Sequence, residues 1–224
     1  GQYVYSESRS EACVHLYLQG AGELDLGGRK VVIEQKTGYP WKEKVVLTVR
    51  PREASTFTLA LRIPGWCGRA RAKLGGRSLQ LAPLMRKGYA RIKRHWNPGD
   101  SIELTLPMPV ERVEAHPAVA ANAGRVALQR GPLVYCLEAV DNGANLKDLI
   151  LPRNAKLGTK FEPRLLGGVT VITARGRRAD RTGWSGDLYR PVGSRTKPAT
   201  LKAVPYFAWD NRRQGEMLVW IREA

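Results

Sequence analysis

The side chains suited to covalent or acid–base chemistry are few and scattered. A cysteine nucleophile needs an imidazole beside it, and the pairing on offer is Cys67 with His95. Cys67 follows a Pro-Gly-Trp turn, and nothing around it in sequence would lower a thiol pKa. Cys13 and His15 stand two residues apart, so on a strand they share a face and could reach one metal ion. A plain buried strand pair is the favoured reading. The three cysteines are too few and too far apart for a disulfide framework or a zinc ribbon, and free, mostly buried thiols are expected. A glycosidase usually flanks the scissile bond with two carboxyl groups. Glu111, Glu114, Asp180, Asp187 and Asp210 are available, but in a chain with excess Arg they read as surface salt bridges. The string nearest to a serine nucleophile elbow, GWSG (183–186), does not match that motif, and His15, His95 and His116 supply no ordered triad. The glycines fall at hairpin positions rather than before a helix, so no phosphate loop is present. No catalytic residue, metal ligand or cofactor is assigned from these residues.

The flat aromatic side chains offer a different chemistry. Sugar rings present apolar CH faces that stack on Trp and Tyr, while polar neighbours bind the hydroxyls. Tyr39 and Trp41 in GYPW (38–41), Trp184 and Trp209 are the carbohydrate-binding candidates. Trp66 and Trp209 sit at strand ends within apolar strings, where core packing competes with binding. Trp41 equally suits an anchor against another domain. Trp184, flanked by Gly, Ser and Asp, is the one expected to be most exposed.

The elements that must position these residues are strands. Short alternating runs bounded by Gly, Pro and Asn dominate, and helical periodicity is nearly absent. In the first half strands are expected at 2–6, 12–18, 30–37, 44–49, 56–63, 70–74, 88–93 and 101–106. In SIELTLP, Ile102, Leu104 and Leu106 point one way and Glu103 and Thr105 the other, the mark of a sheet with one buried face. One buried face per strand implies two sheets packed face to face. Gly27-Gly28 and Gly75-Gly76 supply the positive φ of tight hairpins, and NPGD (97–100) is a turn signal. Near 107–117 the pattern changes, and the boundary is placed there, giving sandwich domains at 1–112 and 113–224. The second half has expected strands at 125–129, 131–139, 169–175, 200–208 and 217–222, with a long irregular segment at 178–198. The fold class is all-β: two tandem antiparallel β-sandwiches of jelly-roll type.

A formal charge of +17 commonly signals a polyanionic partner. Here the basic residues are spread over strand ends and turns, the densest run, RGRRADR (175–181), is interrupted by Asp180, and no nucleic-acid-binding motif is present. Nucleic acid is therefore disfavoured, and an acidic polysaccharide stands as an outside reading. No apolar window approaches the roughly 18 residues of a membrane span. The sequence begins at Gly1 without methionine or signal peptide and runs directly into strand pattern, so a start upstream is expected and localisation is unassigned.

Five strings occur in order: GYPW (38–41), LRIPGWC (61–67), LPMPVERV (106–113), VALQRGPLVYCLE (126–138) and AVPYFAWDNRRQGEMLVWI (203–221). In this order and at this spacing they resemble the C-terminal part of the β-L-arabinofuranosidase family, glycoside hydrolase family 127. The resemblance spans essentially the whole sequence and implies the pair of β-sandwich domains that follow that family's helical barrel. The family's catalytic cysteine lies in a Cys-Cys-Pro-Pro-Asn segment of the barrel, with a zinc site of one glutamate and three cysteines. These residues have no counterpart here, because the chain has no adjacent cysteines. The resemblance therefore implies a non-catalytic portion that supports the barrel, with carbohydrate as a further partner. A stand-alone carbohydrate-binding module, or a small glycosidase active in its own right, are the alternatives. Separated from a barrel, such a piece is also expected to expose an apolar face and to self-associate.

Overall fold

The computed structural model describes residues 3–182, 186, 188–189 and 195–224. Trp184 and Asp187 lie outside the described residues. The fold is all-β, and the chain divides into two compact units, Gly1–Met108 and Pro109–Ala224.

Unit 1 contains β1 (Tyr5–Glu7), β2 (Glu11–Val14), β3 (Gly20–Asp25), β4 (Lys30–Thr37), β5 (Lys44–Pro51), β6 (Ser55–Arg62), β7 (Arg71–Leu74), β8 (Arg77–Leu79), β9 (Met85–Arg86), β10 (Tyr89–Trp96) and β11 (Asp100–Thr105). They form a five-stranded sheet, β1-β2-β6-β10-β9, and a six-stranded sheet, β3-β4-β5-β11-β7-β8. All pairings are antiparallel except β2 with β6. Inward residues of both sheets meet in one core: Leu59, Leu61, Ile92 and Trp96 from the first, Val31, Ile33, Leu47 and Leu104 from the second. Trp96 is fully buried, and its Nε1 donates to the Phe57 carbonyl at 3.1 Å. Alternation along β4 also turns Gln35 inward, where it is fully buried. Its Nε2 donates to Tyr5 Oη at 2.9 Å and to the Leu16 carbonyl at 3.2 Å, joining β1 and the segment after β2 to the second sheet. The four hairpin glycines named above all take positive φ.

Unit 2 contains β12 (Val110–Val113), β13 (Arg125–Arg130), β14 (Leu133–Glu138), the one-turn helix α1 (Ala139–Asn142), β15 (Leu149–Leu151), β16 (Leu157–Glu162), β17 (Val169–Ala179), β18 (Thr196–Pro205), β19 (Met217–Leu218) and β20 (Ile221–Glu223). β12 pairs with β13, so 109–112, expected in the first domain, belong to this unit. The strands make one nine-stranded sheet. Its pairings return on themselves: β13 with β14, β14 with β18, β18 with β17, β17 with β15, β15 with β20 in parallel, and β20 with β13. The ring encloses Leu128, Tyr135, Leu137, Leu149, Leu151, Ile172, Leu201 and Ile221. The irregular segment expected at 178–198 is shorter than its composition suggests, because Arg177, Arg178 and Ala179 pair in register with Pro198, Lys197 and Thr196. Charged residues can extend a ladder whose side chains face water.

Gly176 in β17 marks where the ring is tightest. A Cβ there would lie 2.0 Å from Leu201 Cδ1 and 2.7 Å from the Ile150 carbonyl oxygen, and the latter cannot yield without moving β15. Gly176→Ala is therefore expected to destabilise unit 2 by about 2–3 kcal/mol, the upper range for overpacking. Chemical denaturation followed by Trp fluorescence checks this, and an unchanged midpoint would contradict it.

Candidate functional site

In β14, Tyr135 and Leu137 face the core of unit 2, so alternation sends Cys136 and Glu138 to the opposite face. That face is covered, leaving Cys136 only 1% and Glu138 only 5% exposed. A carboxylate so buried requires a cation and hydrogen bonds. Arg212 supplies them, donating to Glu138 Oε2 and to Asp141 Oδ2, the latter at 2.6 Å. The backbone N–H of Asp210 donates to Glu138 Oε1 at 3.2 Å. Lys202 extends the series, with Nζ 3.7 Å from Asp141 Oδ1 and 3.0 Å from Glu162 Oε2. Charges therefore alternate from Glu162 through Lys202, Asp141 and Arg212 to Glu138. Asn142 lies beside them, donating to the carbonyls of Glu138 and Lys202 at 2.9 and 2.8 Å and accepting from the Lys202 N–H at 2.9 Å.

This network fixes the segment after β18, a 3-10 turn at Tyr206–Ala208 followed by Asp210 in the left-handed region at φ 60°. The turn presents Phe207 and Tyr206 to solvent, 63% and 44% exposed, with Trp209 half-buried beside them. The Tyr206 and Trp209 rings lie 6.4 Å apart and 29° from parallel. Asp210, Asn211, Arg213 and Gln214 are exposed alongside. An aromatic surface edged by amide and charged groups can stack a sugar ring and bind its hydroxyls. The carboxylates beneath it are held by cations.

The other aromatic candidates lie in unit 1. Tyr39 is half-buried against the core, edge-on to Tyr17 at 6.1 Å, and burial raises its phenol pKa. Trp66 packs against the same core, and Trp41 is half-buried in the turn where its backbone N–H donates to the Gly38 carbonyl. Of the four carbohydrate candidates, Trp209 alone stands in described residues with large exposed aromatics at its side. Sequence reading missed the ion network, because its partners stand 40 to 74 residues apart in the chain. The one available signal was a glutamate closing an otherwise apolar strand.

The nucleophile and metal candidates take structural roles. Cys67 lies in the core of unit 1 with Sγ 4.0 Å from the Pro107 carbonyl, whereas His95 points out of the sandwich, Nδ1 3.3 Å from Thr56 Oγ1. His15 is held between Tyr89 Oη and Ser6 Oγ, each at 2.7 Å, and Cys13 bonds Glu11 at 3.2 Å. Among the described residues no group of three or more His, Cys, Asp or Glu side chains is arranged to hold a metal ion. Asp180 pairs with Lys197 at 3.4 Å, while Glu111, Glu114 and Asp210 are exposed. No described helix is long and apolar enough to cross a membrane.

Comparison with known proteins places this architecture among the glycoside hydrolases. Residues 11–108 match the "Beta-L-arabinofuranosidase, GH127 middle domain", and residues 110–222 match the "Glycoside hydrolase family 127 C-terminal domain". The chain belongs to glycoside hydrolase family 127 and comprises these two domains of it. It is similar to a non-reducing end β-L-arabinofuranosidase of Bifidobacterium longum subsp. longum, 34% identical over 233 residues that cover 99% of this chain and 34% of the relative. A crystal structure of a family 127 β-L-arabinofuranosidase from Geobacillus stearothermophilus T6 superimposes with a TM-score of 0.96 at 52% identity, covering 100% of this chain and 35% of that one. Another solved glycoside hydrolase matches at 0.90 and 35% identity, covering 99% and 37%. The chain thus spans about a third of the length of these relatives.

Two outcomes follow. Glu138→Ala leaves Arg212 facing one carboxylate in a buried setting, and a loss of about 3–4 kcal/mol is expected by analogy with broken buried pairs; denaturant unfolding measures it, and a loss under about 1 kcal/mol would contradict the network's role. Burial, reinforced by the Glu138 charge, pushes the Cys136 thiol pKa up to about 12. In the folded chain near pH 8 a disulfide reagent should leave Cys136 unmodified and label it only after unfolding, as read by peptide mass spectrometry.

Proposed function

We propose that these two domains form an accessory portion of a family 127 glycoside hydrolase, supporting the catalytic part of the whole protein and contributing a carbohydrate-binding surface of their own. The observation that carries the reading is the exposed turn of Tyr206, Phe207 and Trp209 fixed by the buried Glu138–Arg212–Asp141 bridge. Aromatic surface held rigid by an ion network loses little freedom when a sugar stacks on it. An apolar surface left mobile would be favoured less.

Hydrolysis in this reading belongs to the two thirds of the relatives that the chain does not cover, and the whole protein acts on arabinose-containing glycans as its relatives' names indicate. Cys67 and Cys136 are buried and His15 bonds across strands, which suits a supporting role. Tyr39 is assigned to packing in unit 1 rather than to sugar.

Titrating the 224-residue chain with arabinose-containing oligosaccharides, followed by Trp fluorescence and by product analysis in the same samples, tests both halves. Saturable quenching without released sugar is expected. Trp209→Ala should weaken binding roughly two- to tenfold, the loss of about one stacked aromatic, with little change in the thermal midpoint. Product release from the chain, or binding indifferent to Trp209, would overturn the corresponding half.

A further inference from the structure

We propose that a second site in unit 2, separate from the Trp209 turn, binds the carboxylate-bearing sugars of an acidic oligosaccharide. The site is a groove of about 670 Å³ between the segment joining β15 to β16 and the adjoining parts of β17 and β18. Its rim carries Lys156 and Arg175, both exposed. Among the described residues neither has an acidic partner, and no acid lines the groove. Within the same unit Arg112 is paired with Glu223, Lys197 with Asp180, and Arg212 with Glu138 and Asp141, whereas Lys156 and Arg175 share one groove. Two unneutralised cations on one groove make a positive field there that an incoming carboxylate satisfies, Arg175 by a two-point contact and Lys156 as a point charge.

The remaining lining suits a sugar rather than a bare ion. Thr173, Thr200 and Asn154 bring hydroxyl and amide groups to the groove, and Thr200 stands opposite Arg175 in register across the β17–β18 ladder. Gly158 stands opposite Thr173, and a Cβ at that position would come 3.3 Å from Thr173 Oγ1. Gly158 lines the groove without contributing a side chain to it, so a side chain there narrows it. The open shape admits a chain passing through.

The test is calorimetric titration of the 224-residue chain with trigalacturonate at moderate salt, beside a neutral arabino-oligosaccharide of equal length. The chain's overall positive charge attracts any anion weakly, so the control is Arg62→Ala with Lys93→Ala, which removes the same charge from exposed positions in unit 1. Lys156→Ala with Arg175→Ala is expected to weaken trigalacturonate binding at least tenfold and the control pair less than twofold. Gly158→Val, which leaves the charge intact, should weaken it comparably. The exposed cation variants carry the test if that change impairs folding. Equal losses in groove and control variants, or displacement of trigalacturonate by equimolar inorganic phosphate or a short oligonucleotide, would overturn the proposal. Trp209→Ala should leave this binding unchanged, so failure here and failure of the aromatic turn are read separately.

Discussion

A carboxylate that is 5% exposed needs a cation and hydrogen bonds in place of water, and in unit 2 Glu138 draws both together on the outer side of β14. Arg212 arrives from beyond β18, α1 turns so that Asp141 faces the same guanidinium, and Asn142 closes onto the backbone of Lys202. The exposed aromatic turn is tied to this arrangement through the Asp210 N–H, which donates to Glu138. Apolar side chains in place of the ions could give equal stability, but they would not define where Asp210 and Trp209 stand.

The two units use the same raw material differently. Unit 1 buries its inward residues between two separate sheets, with Trp96 hydrogen-bonded to the Phe57 carbonyl and Gln35 bonded to Tyr5 and Leu16. Unit 2 curls one sheet until its strands meet again, and this brings backbones close enough that residue 176 has room only for a hydrogen. Glycines consequently serve two different ends in this chain. Gly27, Gly28, Gly75 and Gly76 answer to turn geometry, while Gly176 answers to the proximity of Leu201 and of the Ile150 carbonyl.

The sequence makes the alternating strands legible: 30–37 coincides with β4, and the inward set of β11 is the one alternation indicates. Strand β16, LGTKFE, was illegible because it has little buried face and is held by its ladder to β17. The ends of β17 and β18 were hidden for the same reason, their charged side chains facing water while their backbones pair. Trp209 was legible as a residue able to stack, but its exposed neighbours and the ion network beneath them were not. Alternation reports which residues share a face, and it carries no information on which distant charges will meet.

The closed pairing in unit 2 has a bearing on how the chain matures on the ribosome. Strand β13 meets β20 through Arg125 with Arg222 and Val126 with Ile221, so an early strand of unit 2 has to wait for the last strand of that unit. Unit 1, complete by Met108, can settle while synthesis continues. Until Ile221–Glu223 emerges, β13 and β15 each lack the neighbour that β20 supplies, and both present unsatisfied strand edges to whatever is near.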